Sequence, residues 1–291
     1  MRHNSYKKLI IPLTIIPVGL FYFLLLFIPL VFVFYYSLQQ NPHFESSPEG
    51  LSFYNYYYYF SRPHYNNVIF RTLWFAILTT VGSVVIGYSA SMVLRRVMHR
   101  IGSTAVLLLA FPILSGPIVT VLGWMIMLTS NGLIGESISF VRDILGLPEQ
   151  STRLLGSDVA VIIGMIHFNL AFVILNLLNV MLKIKPELEE AAMNLGANRW
   201  QTFWHVFLPI TIPGIFSASL ISFALAMNAF INPLYLGNSS RYVLTTQISN
   251  FMLSSYNWQM ASATSVILLF ISLFIIVGYT HFYKRYTKAI L

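Results

Sequence analysis

Lys183-Ile184-Lys185-Pro186-Glu187-Leu188-Glu189-Glu190-Ala191-Ala192-Met193-Asn194-Leu195-Gly196-Ala197-Asn198-Arg199-Trp200-Gln201-Thr202-Phe203-Trp204-His205-Val206-Phe207-Leu208-Pro209 is a long polar stretch between two apolar runs. Its spacing predicts two short helices. Pro186 suits a first helical position, and Glu187, Glu189 and Glu190 fall in the first turn, where the helix dipole favours negative charge. Leu188, Ala191, Ala192 and Leu195 then recur at i, i+3, i+4 and i+7 as one apolar stripe. Gly196 suits the left-handed residue that ends such a helix. Asn198, with Gln201 three residues on, has the spacing of a capping box that restarts it. Trp200, Phe203, Trp204 and Phe207 continue the period and predict an aromatic face on the second helix. An apolar stripe on a short helix between two spans has to rest on something.

The surrounding chain is membrane protein. Hydrophobic residues make up 57% and charged residues 9% of it, and its mean hydropathy is +0.71; soluble domains carry roughly 25% charged residues. Apolar runs near 9–38, 72–94, 104–129, 160–182, 208–236 and 262–282 are each long enough to cross, given about 20 residues per bilayer passage. The fifth is punctuated by Pro209, Pro213 and Pro233, and Pro12, Pro17 and Pro29 predict a bend in the first. The first run is too long for a signal-peptide core and is expected to stay attached as a span.

Six spans put both termini on one side. Arg2, Lys7, Lys8, Arg95, Arg96, Arg100, Lys183, Lys185, Arg199, Lys284, Arg285 and Lys288 share that side. Arg62, Arg71, Arg142, Arg153 and Arg241 lie opposite, with Glu45, Glu49, Glu136, Asp143, Glu149 and Asp158. By the positive-inside rule the first side is cytoplasmic. The net charge of +8 therefore reflects topology, and nucleic acid is not an expected partner. No cysteine is present, which excludes disulfides and thiolate chemistry.

Small residues recur every fourth position at Ser83, Gly87 and Ser91 and at Gly214, Ala218, Ser222 and Ala226, a spacing that lets helix backbones approach closely in lipid. No Asp, Glu, Lys or Arg falls inside a span, which disfavours a proton-coupled carrier. The polar residues there are neutral: His167, Asn169, Asn176 and Asn179 in the fourth span, Asn228 and Asn232 in the fifth. His167 and Asn228 lie about 12 Å deep at 1.5 Å per residue. With Asn232 they are candidates for a polar path, the other reading being hydrogen bonds between helices. The outer segment 39–70 is rich in tyrosine, most simply an interfacial belt with room for docking; short helices are expected around 138–145 and 245–254.

Glu190-Ala191-Ala192, Gly196 four residues later and Leu208-Pro209 together resemble the EAA loop of ATP-binding-cassette (ABC) importer permeases. The segment Phe223-Ala-Leu-Ala-Met-Asn228-Ala-Phe230-Ile-Asn232-Pro233-Leu-Tyr-Leu236-Gly237 resembles the fifth-span signature of polyamine-type permeases. Ser130-Asn131-Gly132-Leu133-Ile134 and Tyr256-Asn257-Trp258 are similar to other parts of them. The chain as a whole resembles the first permease of spermidine/putrescine importers.

This resemblance implies an all-α membrane protein of six transmembrane helices, similar to type I ABC importer permeases. Residues 1–70 would supply the first helix and outer loop, and 71–291 a five-helix core with a cytoplasmic coupling loop at 183–209. In that loop Glu190, Ala191, Ala192, Leu195, Gly196 and Arg199 would engage the ATPase.

Implied partners are an ATPase dimer, a second homologous permease, an extracytoplasmic solute-binding protein and membrane lipid, at the bacterial inner membrane. No cofactor is expected on this chain, because it has no Walker A sequence; ATP and Mg²⁺ would sit on the ATPase. Neither His-Glu-x-x-His nor Gly-x-Ser-x-Gly occurs, so no catalytic role is expected.

Spermidine or putrescine is the first expected solute, with ferric iron, opines, thiamine and phosphonates as alternatives. A membrane sensor and an intramembrane enzyme are the rivals from other classes. One departure bears on the solute: where many polyamine permeases have an acid before the Phe of the signature, this chain reads Asn228-Ala229-Phe230.

Overall fold

The computed structural model describes residues 3–145, 154–238 and 242–290; Arg2, Glu149, Arg153 and Arg241, which entered the charge reading, lie outside them. The described residues are helical, without a strand. Six stretches are long and apolar enough to cross a membrane: Pro17–Leu38, Pro63–Met98, Leu109–Ile144, Asp158–Met181, Arg199–Met227 and Trp258–Arg285. Each overlaps an expected run.

The chain folds as two compact units. One combines residues 1–66 with 247–270, the other 67–246 with 271–291. In the first, α1 (His3–Leu38) continues through its three prolines as one helix. The outer loop behind it is held by amides. Asn41, fully buried, donates from Nδ2 to Asn55 Oδ1 and to Asn257 Oδ1, both at 3.1 Å. Asn55 Nδ2 donates to the carbonyls of Ser37 and Gln39. Asn257 Oδ1 also accepts the Met260 amide at 3.0 Å, capping the last helix at its start.

The tyrosine run forms α2 (Tyr54–Ser61) and is sorted by helical period, so it is only partly a belt. Tyr57 and Phe60 are exposed, while Tyr59 is buried, donates to Gln247 Oε1 at 2.8 Å and stacks on Tyr65. Burial pushes the Tyr59 phenol well above its usual range.

The second unit begins at residue 67, four residues into α3 (Pro63–Leu128), whose 66 residues would measure about 100 Å as one helix, far more than a bilayer. Gly102, at φ 33° and ψ −116°, breaks it into two spans, and Gly116, at φ 75°, breaks the second of these just before Pro117. The α4 helix (Leu133–Ile144) follows, longer than expected at its start.

The centre of this unit is α5 (Asp158–Met181) packed against α8 (Leu208–Met227). Gly214, Ala218, Ser222 and Ala226 are the buried face of α8, the stripe read from the sequence. A Cβ on Gly214 would sit 3.0 Å from Val180, so the helices approach as closely as glycine allows. Gly87 of α3 has the same relation to Val173, at 2.6 Å. Asn176 Oδ1 accepts the Ser217 hydroxyl at 2.7 Å, one of the hydrogen bonds between helices that the sequence left open.

The fifth span is where expectation and structure part. It does not run to residue 236. The α8 helix ends at Met227, and α9 (Ile231–Leu236) starts anew after Asn228–Phe230. Proline lacks an N–H and its ring collides with the carbonyl four residues back. Restarting the helix at Ile231 places Pro233 in the first turn, where the N–H has no helical partner anyway. Asn228 and Asn232 are therefore not one turn apart on a continuous helix. After residue 241 the chain forms α10 (Leu244–Ser249), a π turn (Asn250–Ser254) and α11 (Trp258–Ile290).

Candidate functional site

Two places in the second unit concentrate functional side chains. The first is the charged loop. Its α6 helix (Pro186–Asn194) has Pro186 at its start and Glu187 and Glu189 in the first turn. It closes with the Gly196 amide on the Met193 carbonyl and the Ala197 amide on the Ala192 carbonyl, at 3.0 and 3.1 Å. Gly196 lies at φ +93°. That pair of bonds is a Schellman motif, which needs the left-handed residue that glycine supplies. The capping box is present as well: Gln201 N–H donates to Asn198 Oδ1 at 2.8 Å, and Asn198 N–H to Gln201 Oε1 at 2.9 Å.

No residue of α6 is buried. Leu188, Glu190 and Ala191 are exposed, Ala192 is half-buried and Leu195 is 90% exposed. The apolar stripe exists and has no cover within this chain's described residues.

The aromatic stripe divides. After α7 (Arg199–Thr202) the chain makes a π turn, Phe203–Phe207, before α8. The wider turn shifts the period, so Phe207 is 3% exposed while Trp200 and Trp204 remain 69% and 47% exposed. A single aromatic face was expected; two tryptophans face out and Phe207 joins Val173, Leu177, Met181, Ile184 and Ala218 in the core.

Arg95, at the end of the second span, fixes the loop in place. Its Nη1 donates to Glu189 Oε1 at 2.5 Å and its Nη2 to the Ile184 carbonyl at 3.0 Å. The guanidinium lies 4.8 Å over the Phe207 ring. In the sequence Arg95 stands out only as one of the cytoplasmic-side charges, because nothing local joins it to a glutamate 94 positions away.

The second place is an open pocket of about 230 Å³, lined by Asn169, Asn228, Asn232, Phe168, Phe230 and Pro117 among others, with Asn228 exposed at it. Two helix breaks meet here, Gly116–Pro117 in the third span and Asn228–Phe230 in the fifth. Irregular backbone at membrane depth is tolerated where it lines a cavity, and broken helices mark the binding sites of many transporters.

Asn169 uses its Nδ2 on the Ser222 carbonyl and hydroxyl, both at 3.0 Å. Asn228 donates its Nδ2 to the Ala224 carbonyl at 2.9 Å. Both amides thus commit nitrogen to the helices and keep a carbonyl oxygen as acceptor.

His167 is not brought to this cavity. Met165, Phe168 and Asn169 are the α5 residues that line it, at i, i+3 and i+4, and their neighbour His167 packs edge-on against Trp124 with ring centres 5.7 Å apart. Asn169 takes its place as the α5 contribution. Equal depth suggested His167; the helical period, counted from Met165, would have selected Asn169.

The family described as binding-protein-dependent transport system inner membrane component matches residues 1–288. The spermidine/putrescine transport system permease protein PotB of Escherichia coli (strain K12) is 28% identical over 206 residues, 71% of this chain and 74% of that one. PotB of Haemophilus influenzae is 28% identical over 264 residues, covering 91% and 89%. The ferric transport system permease protein FbpB of Actinobacillus pleuropneumoniae is 30% identical over 215 residues, 73% of this chain and 30% of that one. Among solved structures, a chain of the bacterial alginate ABC transporter in complex with alginate pentasaccharide-bound periplasmic protein superposes with a TM-score of 0.79 at 18% identity, covering 98% of this chain and 97% of that one. It shares the fold.

Proposed function

The chain belongs to the family of binding-protein-dependent transport system inner membrane components, and on that premise we propose that it passes a polyamine of the spermidine or putrescine kind through the cavity at Asn169, Asn228 and Asn232. As a family member it is a multi-pass inner-membrane permease subunit of an ABC importer, a transport component without catalytic chemistry of its own, working with an ATPase and a solute-binding protein.

The observation that carries the solute reading is the acceptor lining of the cavity. An alkylammonium group only donates hydrogen bonds, and Asn169 and Asn228 offer oxygens because their nitrogens are engaged. The rings of Phe168 and Phe230 lie within reach of the same space and suit a cation. The similarity to PotB of two species supports the same class. The similarity to FbpB favours a second reading, a permease for ferric iron.

In the proposed cycle both termini and the loop face the cytoplasm, and a second, homologous permease completes the path. ATP and Mg²⁺ are held by the ATPase dimer. Closure of that dimer moves α6, which carries Glu190, Ala191 and Ala192, together with Leu195, Gly196 and Arg199 just beyond it, and the motion reaches the cavity along α8.

Asn228→Asp tests the solute class. With the complete importer in vesicles, spermidine or putrescine uptake should persist, rise, or stall with the amine trapped. Strong loss of uptake at unchanged melting behaviour, with no amine retained on the permease, would reject a cationic solute. Uptake of ferric iron but of neither amine by the unaltered importer would establish the second reading instead.

A further inference from the structure

The charged loop has a second opening, apart from the face that α6 presents. Between the end of the second span and the loop lies a cleft of about 340 Å³, whose lining includes Arg95, Arg96, Arg199, Glu189, Met92 and Phe207. Its charge is unbalanced. Glu189 is occupied by Arg95, and among the described residues no carboxylate pairs with Arg96 or Arg199. Met92, Met193, Phe203 and Phe207 add apolar surface to the same lining.

Met92, Arg95 and Arg96 belong to the last two turns of the stretch Pro63–Met98. Arg95 and Arg96 directly follow the apolar run near 72–94, so with that run in the hydrocarbon they fall at the level of the headgroups. Two guanidinium groups beside apolar side chains, at the end of a span, fit an anionic group that carries an apolar tail better than they fit a neutral solute. Guanidinium binds phosphate oxygens in pairs, and basic pockets beside transmembrane helices on the cytoplasmic side take anionic lipid headgroups.

We propose that the Arg96–Arg199 cleft is a binding site for the phosphate of an anionic phospholipid in the cytoplasmic leaflet. This rests on the orientation proposed above, with the loop facing the cytoplasm. An occupant here would bridge the second span and the start of α7, so lipid composition would bear on how the loop is held.

The test uses the complete importer in phosphatidylcholine nanodiscs with increasing phosphatidylglycerol, reading the lipid that stays bound by native mass spectrometry. Phosphatidylglycerol should be retained over phosphatidylcholine. Arg96→Gln and Arg199→Gln should each lower its affinity about fivefold, one surface charge's worth of attraction, while Arg96→Lys should keep most of it. Equal retention in the Gln variants and the unaltered protein would overturn the proposal. So would displacement of the lipid by millimolar inorganic phosphate, which would make the site one for soluble anions. Retention by the permease alone that vanishes when the ATPase binds would assign the cleft to an acidic group of the ATPase. Bound lipid is read without transport, so failure here leaves the polyamine reading standing, and failure of amine uptake leaves this one standing.

Discussion

Arg95 reaches α6 through Glu189, the end of the fourth span through the Ile184 carbonyl, and the π turn through the Phe207 ring. Its side chain is only 17% exposed, so these charge-assisted bonds are worth about 1.5–3 kcal/mol each, more than surface pairs. Arg95→Ala should leave the protein inserted and the ATPase bound but uncouple the two, raising ATP hydrolysis in the absence of binding protein and lowering uptake. Exchanging the charges, Arg95→Glu with Glu189→Arg, should recover part of the coupling. An Arg95→Ala importer with normal, binding-protein-dependent hydrolysis would remove Arg95 from this role. Gly196 is the other decisive residue. At φ +93° a side chain is strained by about 1–2 kcal/mol, more if β-branched. Gly196→Val should therefore insert normally and lose stimulated hydrolysis, and normal uptake by that variant would refute the coupling assignment. Gly196 was legible from its neighbours in sequence. Arg95 was not, because its partners come from the far side of two spans.

At the scale of elements, the contact of α5 with α8 depends on small residues and interhelical amides in different measure. Gly214→Val would put methyl groups into Val180, where overpacking costs about 1–3 kcal/mol. Asn176→Ala removes one interhelical bond, worth about 0.6 kcal/mol in lipid. The Gly214 variant should melt clearly below the Asn176 variant, and the Asn176 variant should keep its uptake; lost uptake at unchanged melting temperature would put Asn176 in the path after all. The small-residue stripe was readable because a four-residue period projects onto one helix face. The interruption at Asn228–Phe230 was readable only as a suspicion attached to Pro233. Where a helix restarts depends on which carbonyls the surrounding helices can satisfy, and that is a matter of packing.

At the scale of the whole chain, the proposed orientation of the six spans, with both ends inside, predicts labelling of single cysteines from outside at Tyr57, which is 72% exposed, and from inside at Met98 and Asn194. A cysteine-free chain makes the experiment direct. Outside labelling at Asn194 would overturn the orientation and with it both proposals. The sequence by itself determined the number of spans, the side expected to be cytoplasmic, the α6 helix with its Gly196 turn and the α7 capping box. Those follow from hydropathy, charge and local backbone preference, which act within a few residues or one span. Tertiary structure alone decided that Arg95 holds the loop, that Trp200 and Trp204 face out while Phe207 turns in, and that Asn169 stands at the cavity where His167 was expected. The tryptophans are sorted from Phe207 by the π turn at Phe203–Phe207; the other two depend on the rotation of one helix against another, an angle set by side chains far apart along the chain but touching across the bundle.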